Sequence, residues 1–295
     1  MALSINSNMM AANAARNLGN SYNALATSVR RLSSGLRVGQ ASDDAAGLGI
    51  RELMRADIAS INQGVRNAND AISLIQTADG AMGVIDEKLI RMKELATQAA
   101  TGTYNSDQRL MIESEYQAMA SEITRIASGT SFNGVFLLNG NLSSATSTID
   151  QMKSTGKLLV HFGPSNDSTS DFYFVQIGTA TASALGVGNN SGGTAASVST
   201  QQAAQNALKG LNDAITAKDK IRASLGAMQN RLTSTVSNLQ IQAENLQAAE
   251  SRISDVDVSL EMTQFVRNQI LSQSAVAMLS QANSLPSMAL RLISG

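Results

Sequence analysis

Residues 225–260 read LGAMQNRLTSTVSNLQIQAENLQAAESRISDVDVSL, and this stretch decides the fold of the chain. A seven-residue period places side chains on one stripe of an α-helix, which is typical of helices that pack along one another. The period predicts a long helix that begins near Val198 and has one packing face. Its repeating aliphatic residues are Leu225, Leu232, Leu239, Leu246, Ile253 and Leu260.

The amino-terminal end carries a second stripe of the same kind. Its members are separated by alternating steps of four and three residues, and it ends in the Gly-containing region 33–40. We interpret the two stripes as a self-assembly seam, in which large apolar side chains become buried between helices. The members of the second stripe are Leu18, Tyr22, Leu25, Val29, Leu32 and Leu36. A last amphipathic stretch, residues 262–292, is interrupted by Pro286.

The middle of the chain predicts two more helices and a short β segment. A helix capped by Ser42 and ending at Thr101 would be roughly 85 Å long at about 1.5 Å per residue, and another follows a Ser106 cap. Two Asn-Gly pairs around an apolar run, in residues 132–140, predict a β-hairpin because Asn-Gly suits turns with positive φ. Strands are also predicted at residues 158–162 and 172–177.

Composition excludes several classes of function. With 22 Lys+Arg and 23 Asp+Glu the net charge is −1, so the chain is not a general binder of nucleic acid. It has no Cys and one His, which excludes disulfides, thiolate sites and two-His zinc motifs. Asp43 and Asp44 fit a helix N-terminus better than a catalytic pair. We therefore predict no enzyme activity, no cofactor and no metal, and no membrane insertion because no long apolar run exists.

These patterns together predict a mainly α fold, a long antiparallel helical hairpin or coiled-coil rod with a small β-hairpin insert. The helices at the two chain ends are expected to pair with each other. They have fewer large apolar residues than the middle, so we expect them to be marginally stable in the monomer and to become ordered on assembly.

Six segments of the chain resemble the signatures of bacterial flagellin. At the amino-terminal end these are RLSSGLRVGQASDDAAGLGI (31–50), VRNANDAISLIQTADGAM (65–82), LIRMKELATQAATGT (89–103) and SFNGVFLLNG (131–140). At the carboxyl-terminal end they are residues 225–262 and NQILSQSAVAMLSQANSLP (268–286). The resemblance covers roughly residues 1–140 and 205–295, whereas residues 141–204 match no fixed pattern.

The resemblance implies a secreted, extracellular subunit, exported by the type III route, that polymerises with itself into the helical filament of the bacterial flagellum for motility. It implies a terminal coiled-coil domain formed by residues 1–42 and 254–295, a rod domain formed by residues 43–140 and 205–253, and a variable β-containing insert at 141–204. It further implies contacts with the flagellar export chaperone, the export apparatus, and the hook-associated and cap proteins.

The resemblance also implies a surface for an innate receptor. Arg91, Leu95 and Glu115 stand where flagellins are read by Toll-like receptor 5, and Arg91 and Leu95 share a helix face because they are four residues apart. The alternative is that these residues belong to an ordinary contact face between rods.

Other functions fit the sequence less well. A hook–filament junction protein, which has similar helical ends, is the alternative to the bulk filament subunit. A metalloprotease in the insert would need His-Glu-x-x-His, which a single His excludes. A pore-forming translocator would need long apolar spans, and the sequence has none.

Overall fold

The computed structural model describes residues 8–143, 156–167, 171–188, 193 and 195–294, with side chains described as far as residue 284. Five helices lie in this part of the chain: α1 (Met9–Ser34), α2 (Ala45–Ala100), α3 (Ser106–Gly129), α4 (Gln201–Ser254) and α5 (Val258–Ser294). Four short strands lie between α3 and α4: β1 (Ser131–Phe132), β2 (Val135–Phe136), β3 (Leu158–His161) and β4 (Phe172–Val175).

The strands form two antiparallel pairs. In the first, β1 and β2 join through a turn in which Asn133 and Gly134 both have positive φ, 49° and 80°. This confirms the hairpin that the Asn-Gly pair predicts. In the second, Leu158 pairs with Val175 and His161 pairs with Phe172. The predicted fold class, mainly α with a small β-hairpin insert, is confirmed.

The helices begin at different caps from those expected. Asp44, not Ser42, precedes α2, and its Oδ1 accepts a hydrogen bond from Gly47 N at 2.9 Å. Asn105, not Ser106, caps α3, with a reciprocal bond between its backbone N and the side chain of Gln108. In both cases a carboxylate or amide satisfies a free N–H group of the first turn, as a hydroxyl could have done.

Pro286 does not interrupt the last helix, contrary to the sequence prediction. Helix α5 continues to Ser294. Proline has no N–H to donate to the carbonyl four residues earlier, that of Ala282. This carbonyl instead accepts a hydrogen bond from Asn8 Nδ2 at 2.8 Å, so a side chain from α1's N-cap replaces a bond that the helix cannot make itself.

The chain divides into two compact units. Unit 1 comprises residues 1–58 and 244–295, and unit 2 comprises residues 59–243. The domain boundaries expected from the resemblance, near residues 42 and 254, stay a prediction. In the described part of the chain, the helices contain no apolar stretch long enough to span a lipid bilayer.

Unit 2 holds most of the large buried side chains. Its core includes Ile75, Met82, Ile85, Leu89 and Met92, which recur along α2 in steps of three, four and seven residues. The β insert lies close against α2: a Cβ at Gly64 would come within 1.9 Å of the carbonyl oxygen of Phe162. Asn67 Nδ2 also donates to the carbonyl of His161 at 2.8 Å. Only glycine allows this approach, so the sequence of α2 positions the insert.

Candidate assembly surface

Helices α1 and α5 of unit 1 run antiparallel, and polar contacts fix their register. Near the start of α1, Asn8 contacts Ala282 of α5. Near its end, Arg31 Nη1 lies 3.7 Å from Glu261 Oε2. Residue numbers rise along one helix as they fall along the other, so the helices at the two chain ends pair as the sequence predicted.

The surface between α1 and α5 is lined mainly by small and polar side chains. Ser28 and Ser272 are buried there, together with Ala282. The carboxylate of Glu261 is also buried, and Arg31 lies beside it. Such residues allow close helix approach but remove little apolar area from water. Close packing of small side chains and polar contacts therefore stabilise the α1–α5 pair more than a hydrophobic core does.

The large apolar side chains of α1 and α5 point mostly outward. A soluble protein rarely exposes so many apolar residues on one pair of helices unless they are covered in an assembly. The exposed members on α1 and α5 are Met9, Met10, Tyr22, Val29, Val258, Leu260, Met262, Val266, Ile270, Leu271, Val276 and Met278.

The amino-terminal stripe read from the sequence divides between two faces of α1. Tyr22 and Val29 are 52% and 49% exposed, so they do not lie in the seam against α5. Serines one residue earlier, Ser21 and Ser28, take those positions. Serine is favoured over larger side chains at this contact because it allows α1 and α5 to approach closely. The remaining members are half-buried: Leu18, Leu25 and Leu32 on α1, and Leu36, which follows the end of α1.

The carboxyl-terminal stripe changes from core to surface along its length. Its first three members lie in the core of unit 2, the next two are half-buried in unit 1, and Leu260 is 62% exposed. A single heptad series thus serves intramolecular packing at one end and faces solvent at the other. The core members are Leu225, Leu232 and Leu239, and the half-buried members are Leu246 and Ile253.

Two apolar grooves follow the exposed faces of unit 1. One lies on α5 alone and is lined by Met262, Val266, Ile270 and Leu271, with Thr263 and Arg267 at its side. The other lies between α1 and α5 and contains apolar side chains from both helices, Met10, Ala14, Leu271, Ala275 and Met278. Both grooves are open, and both are wide enough to receive side chains from another molecule.

One arginine without a sequence signal, Arg51, holds the segment between α1 and α2. Arg51 is buried, and its Nη1 donates to the carbonyl of Val38 at 2.6 Å. Its Nη2 also lies 2.6 Å from the carboxylate of Glu52. This hydrogen bond lowers the pKa of Glu52. A lone arginine on the second turn of a helix leaves no periodic signal, which is why sequence reasoning missed it.

The three residues of the predicted receptor surface do not share one accessible face. Arg91 Nη2 and Glu115 Oε1 are 2.8 Å apart, and both side chains are partly exposed. Hydrogen bonds to Glu115 and Glu94 raise the pKa of Arg91. Leu95 is only 1% exposed, so it packs in the core of unit 2 below the ion pair.

Unit 2 contains buried charges that also lacked a sequence signal. Lys218 is buried, and its Nζ lies 2.6 Å from Asp86 Oδ1 and 2.7 Å from Asp219 Oδ1. One turn away, Arg222 Nε lies 2.7 Å from Asp79 Oδ1, and its hydrogen bond lowers the pKa of that carboxyl. These contacts join α2 to α4 within unit 2. Among the described residues, no cluster of His, Asp or Glu could hold a metal ion.

The fold and its exposed faces define a class: a helical protein whose two chain ends pair and present apolar surfaces for assembly. The model of the bacterial flagellin N-terminal helical region matches residues 5–143, and that of the C-terminal helical region matches residues 208–293. Because these matches cover more than half of its length, the chain belongs to the bacterial flagellin family.

Curated relatives match almost throughout. The chain is 41% identical to the flagellar filament 33 kDa core protein of Treponema phagedenis, over 98% of this chain and 99% of that one. It is 39% identical to flagellin FlaB2 of Treponema pallidum (strain Nichols), with the same two shares. A solved structure described as a flagellar hook-associated protein, from Vibrio parahaemolyticus, has a TM-score of 0.57 over 72% of this chain and 100% of its own, and at 12% identity it shows the fold alone.

Proposed function

We propose that this chain is the subunit of a bacterial flagellar filament and that it polymerises through the outward apolar faces of α1 and α5. One observation carries the proposal: unit 1 buries small and polar side chains and exposes large apolar ones. In a single molecule these side chains stay in water and contribute no hydrophobic free energy, whereas contact with further copies would bury them. The names of the relatives, flagellin and filament core protein, support the same function.

The apolar faces can supply enough free energy for assembly. Full burial of a Val, Leu, Ile or Met side chain contributes about 1.5–3 kcal/mol. Met262, Val266, Ile270 and Leu271 are already roughly half-buried, so covering these four would contribute roughly 3–6 kcal/mol before the costs of association. A contact that repeats from copy to copy without closing a ring produces a helical polymer.

The finer organisation follows the resemblance. Residues 1–42 with 254–295 form the terminal coiled-coil domain of the filament, residues 43–140 with 205–253 form the rod, and 141–204 form the insert. The subunit is secreted through the flagellar export apparatus, with an export chaperone, and meets the hook-associated and cap proteins in the extracellular flagellum. It acts by assembly and is not an enzyme.

The hook–filament junction alternative is less well supported. The structural similarity to a hook-associated protein concerns the fold alone. Relatives that match over nearly the whole chain are instead named for the filament or as flagellin. Counting copies in purified filaments separates the two functions, because a junction protein forms a single ring and a filament subunit recurs along the entire length.

The decisive experiment alters one apolar face and measures polymerisation. Ile270→Ser removes an outward side chain of α5 that is 56% exposed; Ile241→Ser, an equally exposed isoleucine on α4, is the matched control. Seeded growth would be followed by sedimentation and electron microscopy, and circular dichroism would check the fold. We expect Ile270→Ser to raise the critical concentration several-fold and Ile241→Ser to have a much smaller effect.

Two results would contradict the proposal. One is growth of Ile270→Ser at the critical concentration of the unaltered chain. The other is normal filament growth after deletion of residues 1–30 or 270–295. These deletions remove most of α1 or much of α5 and should abolish filaments while unit 2 stays folded and soluble.

We also propose that the Arg91–Glu115 face can be read by Toll-like receptor 5. The exposed ion pair supports this, and buried Leu95 would act only by supporting the helix beneath it. Binding of the receptor's extracellular domain to Arg91→Ala, compared with Arg125→Ala at an exposed ion pair elsewhere on α3, tests the proposal. Equal binding of both variants would refute it.

A further inference from the structure

Two sets of methionines in this chain have opposite environments. Met82 and Met92 are fully buried in the core of unit 2. In unit 1, Met10, Met262 and Met278 are 51%, 44% and 62% exposed. An exposed thioether reacts with peroxides, whereas a buried one is protected by the packed side chains around it. The difference in exposure therefore makes Met10, Met262 and Met278 accessible to peroxide, whereas Met82 and Met92 are protected.

The three exposed methionines lie in the grooves proposed for assembly. Met262 lines the groove on α5 next to Val266 and Ile270. Met10 and Met278 come from different helices and line the same groove between α1 and α5. Met9 is also exposed but lines neither groove.

We infer that Met10, Met262 and Met278 form a reversible oxidation site that controls whether the free subunit can polymerise. The oxidant is a peroxide such as hydrogen peroxide. The thioether sulfur attacks one peroxide oxygen, the O–O bond breaks, and an S–O bond forms. The sulfur loses two electrons to give the sulfoxide, and the second oxygen leaves as water after proton transfer. Sulfoxide reductases, one for each epimer, return the thioether. This inference rests on the proposed function as a filament subunit.

Oxidation changes the grooves from apolar to partly polar. A sulfoxide is polar and accepts hydrogen bonds, whereas the thioether packs as a flexible apolar group. When another copy covers the groove, the sulfoxide oxygen loses water and faces aliphatic neighbours such as Ile270 and Leu271. A polar group buried without a partner disfavours that contact. We expect the critical concentration for polymerisation to rise by about tenfold or more.

The same geometry predicts that assembly protects the site. Once a neighbouring copy covers the two grooves, peroxide reaches Met10, Met262 and Met278 more slowly. Met111 in α3 is 72% exposed and lies in neither groove, so it provides an internal reference for chemical reactivity. The oxidation acts on subunits before they join a filament and spares those already incorporated.

The test treats the free full-length chain with hydrogen peroxide and maps the products by peptide mass spectrometry. We expect sulfoxide at the exposed methionines of both units, with Met82 and Met92 unreacted and the circular dichroism spectrum retained. The exposed methionines are Met9, Met10, Met111, Met262 and Met278. The critical concentration is then measured before and after treatment, and again after incubation with both sulfoxide reductases. We expect a rise on oxidation and a return on reduction.

Variants assign the effect to the grooves. For each variant the measured quantity is the ratio of its own critical concentrations after and before treatment. In the triple variant Met10→Leu, Met262→Leu and Met278→Leu this ratio should approach one, because leucine cannot be oxidised. Met111→Leu should keep the ratio of the unaltered chain.

The outcomes separate this inference from the proposed function. If the untreated chain does not polymerise, both are overturned. If it does, and the chain oxidised at all three methionines of the two grooves polymerises equally well, only the oxidation site is overturned. A triple variant whose polymerisation is as sensitive to peroxide as that of the unaltered chain would also overturn only the oxidation site.

Discussion

Asp86→Asn tests the energetic role of the buried ammonium group in unit 2. Lys218 is 2% exposed, and its two acidic neighbours differ: the Asp86 side chain is 28% exposed and that of Asp219 is 62% exposed. Burial alone would lower the pKa of Lys218, but hydrogen bonds to Asp219 and Asp86 more than offset this, so its pKa is raised. The amide at position 86 would leave the charge with only the more exposed, better hydrated partner.

The expected loss follows from these exposures. Removing one partner of a fully buried pair costs about 3–5 kcal/mol. Asp219 remains and Asp86 is partly hydrated, so we expect Asp86→Asn to lower the free energy of opening of unit 2 by about 2–3 kcal/mol. Asp219→Asn should cost less than about 1 kcal/mol, because the exposed Asp219 carboxylate is screened by water and Asp86 still pairs with Lys218.

Native-state hydrogen exchange measures these free energies locally. Peptides covering residues 75–92 and 211–225 report the opening of α2 and α4 within unit 2. Lys218→Met removes the charge along with the need for a partner, and such replacements are often neutral or stabilising. The reasoning is refuted if Asp86→Asn changes the free energy by less than about 0.5 kcal/mol, or if Lys218→Met costs as much as Asp86→Asn.

Three further predictions follow from single side chains. Asn8→Ala removes the cap of α1 and the bond to Ala282 O, and should cost about 1–2 kcal/mol in the opening of α1 by hydrogen exchange, with Asn8→Asp recovering only the cap. Leu232→Ala, in the core, should cost about 2–5 kcal/mol in urea unfolding, whereas exposed Leu260→Ala should cost less than about 1 kcal/mol and instead raise the critical concentration. Burial raises the pKa of Tyr116, so its stabilising effect is complete below about pH 10 and is lost as pH rises further. Tyr116→Phe should therefore reduce the loss of thermal stability between about pH 9.5 and 11.5, and an unchanged alkaline profile would contradict this assignment.

Heptad spacing predicted which residues lie on helices more reliably than which contacts those residues make. In the core of unit 2 the stripe through Leu225 and Leu232 is buried as expected, because a large core rewards large side chains. In unit 1 the rule fails at Tyr22 and Val29. The α1–α5 surface there uses serine and alanine, and a search for large apolar residues cannot detect a seam built from small ones.

Side chains that act through one specific partner were harder to foresee. Pro286 predicts a break when α5 is considered alone, but Asn8 lies 278 positions away in the sequence and supplies a bond to the carbonyl that the proline leaves free. Leu95 looked like a surface neighbour of Arg91 because the two are four residues apart. Helix α2 contacts α3 through Arg91 and Glu115 and contacts α4 through Asp86 and Lys218, so sharing a helix face does not guarantee exposure.

The bond between Asn8 and Ala282 joins residues that the ribosome makes at very different times. The two residues are 274 positions apart, and a ribosome adds roughly 5–20 residues per second. Asn8 is therefore made about 15–55 seconds before Ala282 of α5. Throughout that interval α1 has no α5 to pair with, and translation must pass the codon of Ala282 before the bond from Asn8 can form.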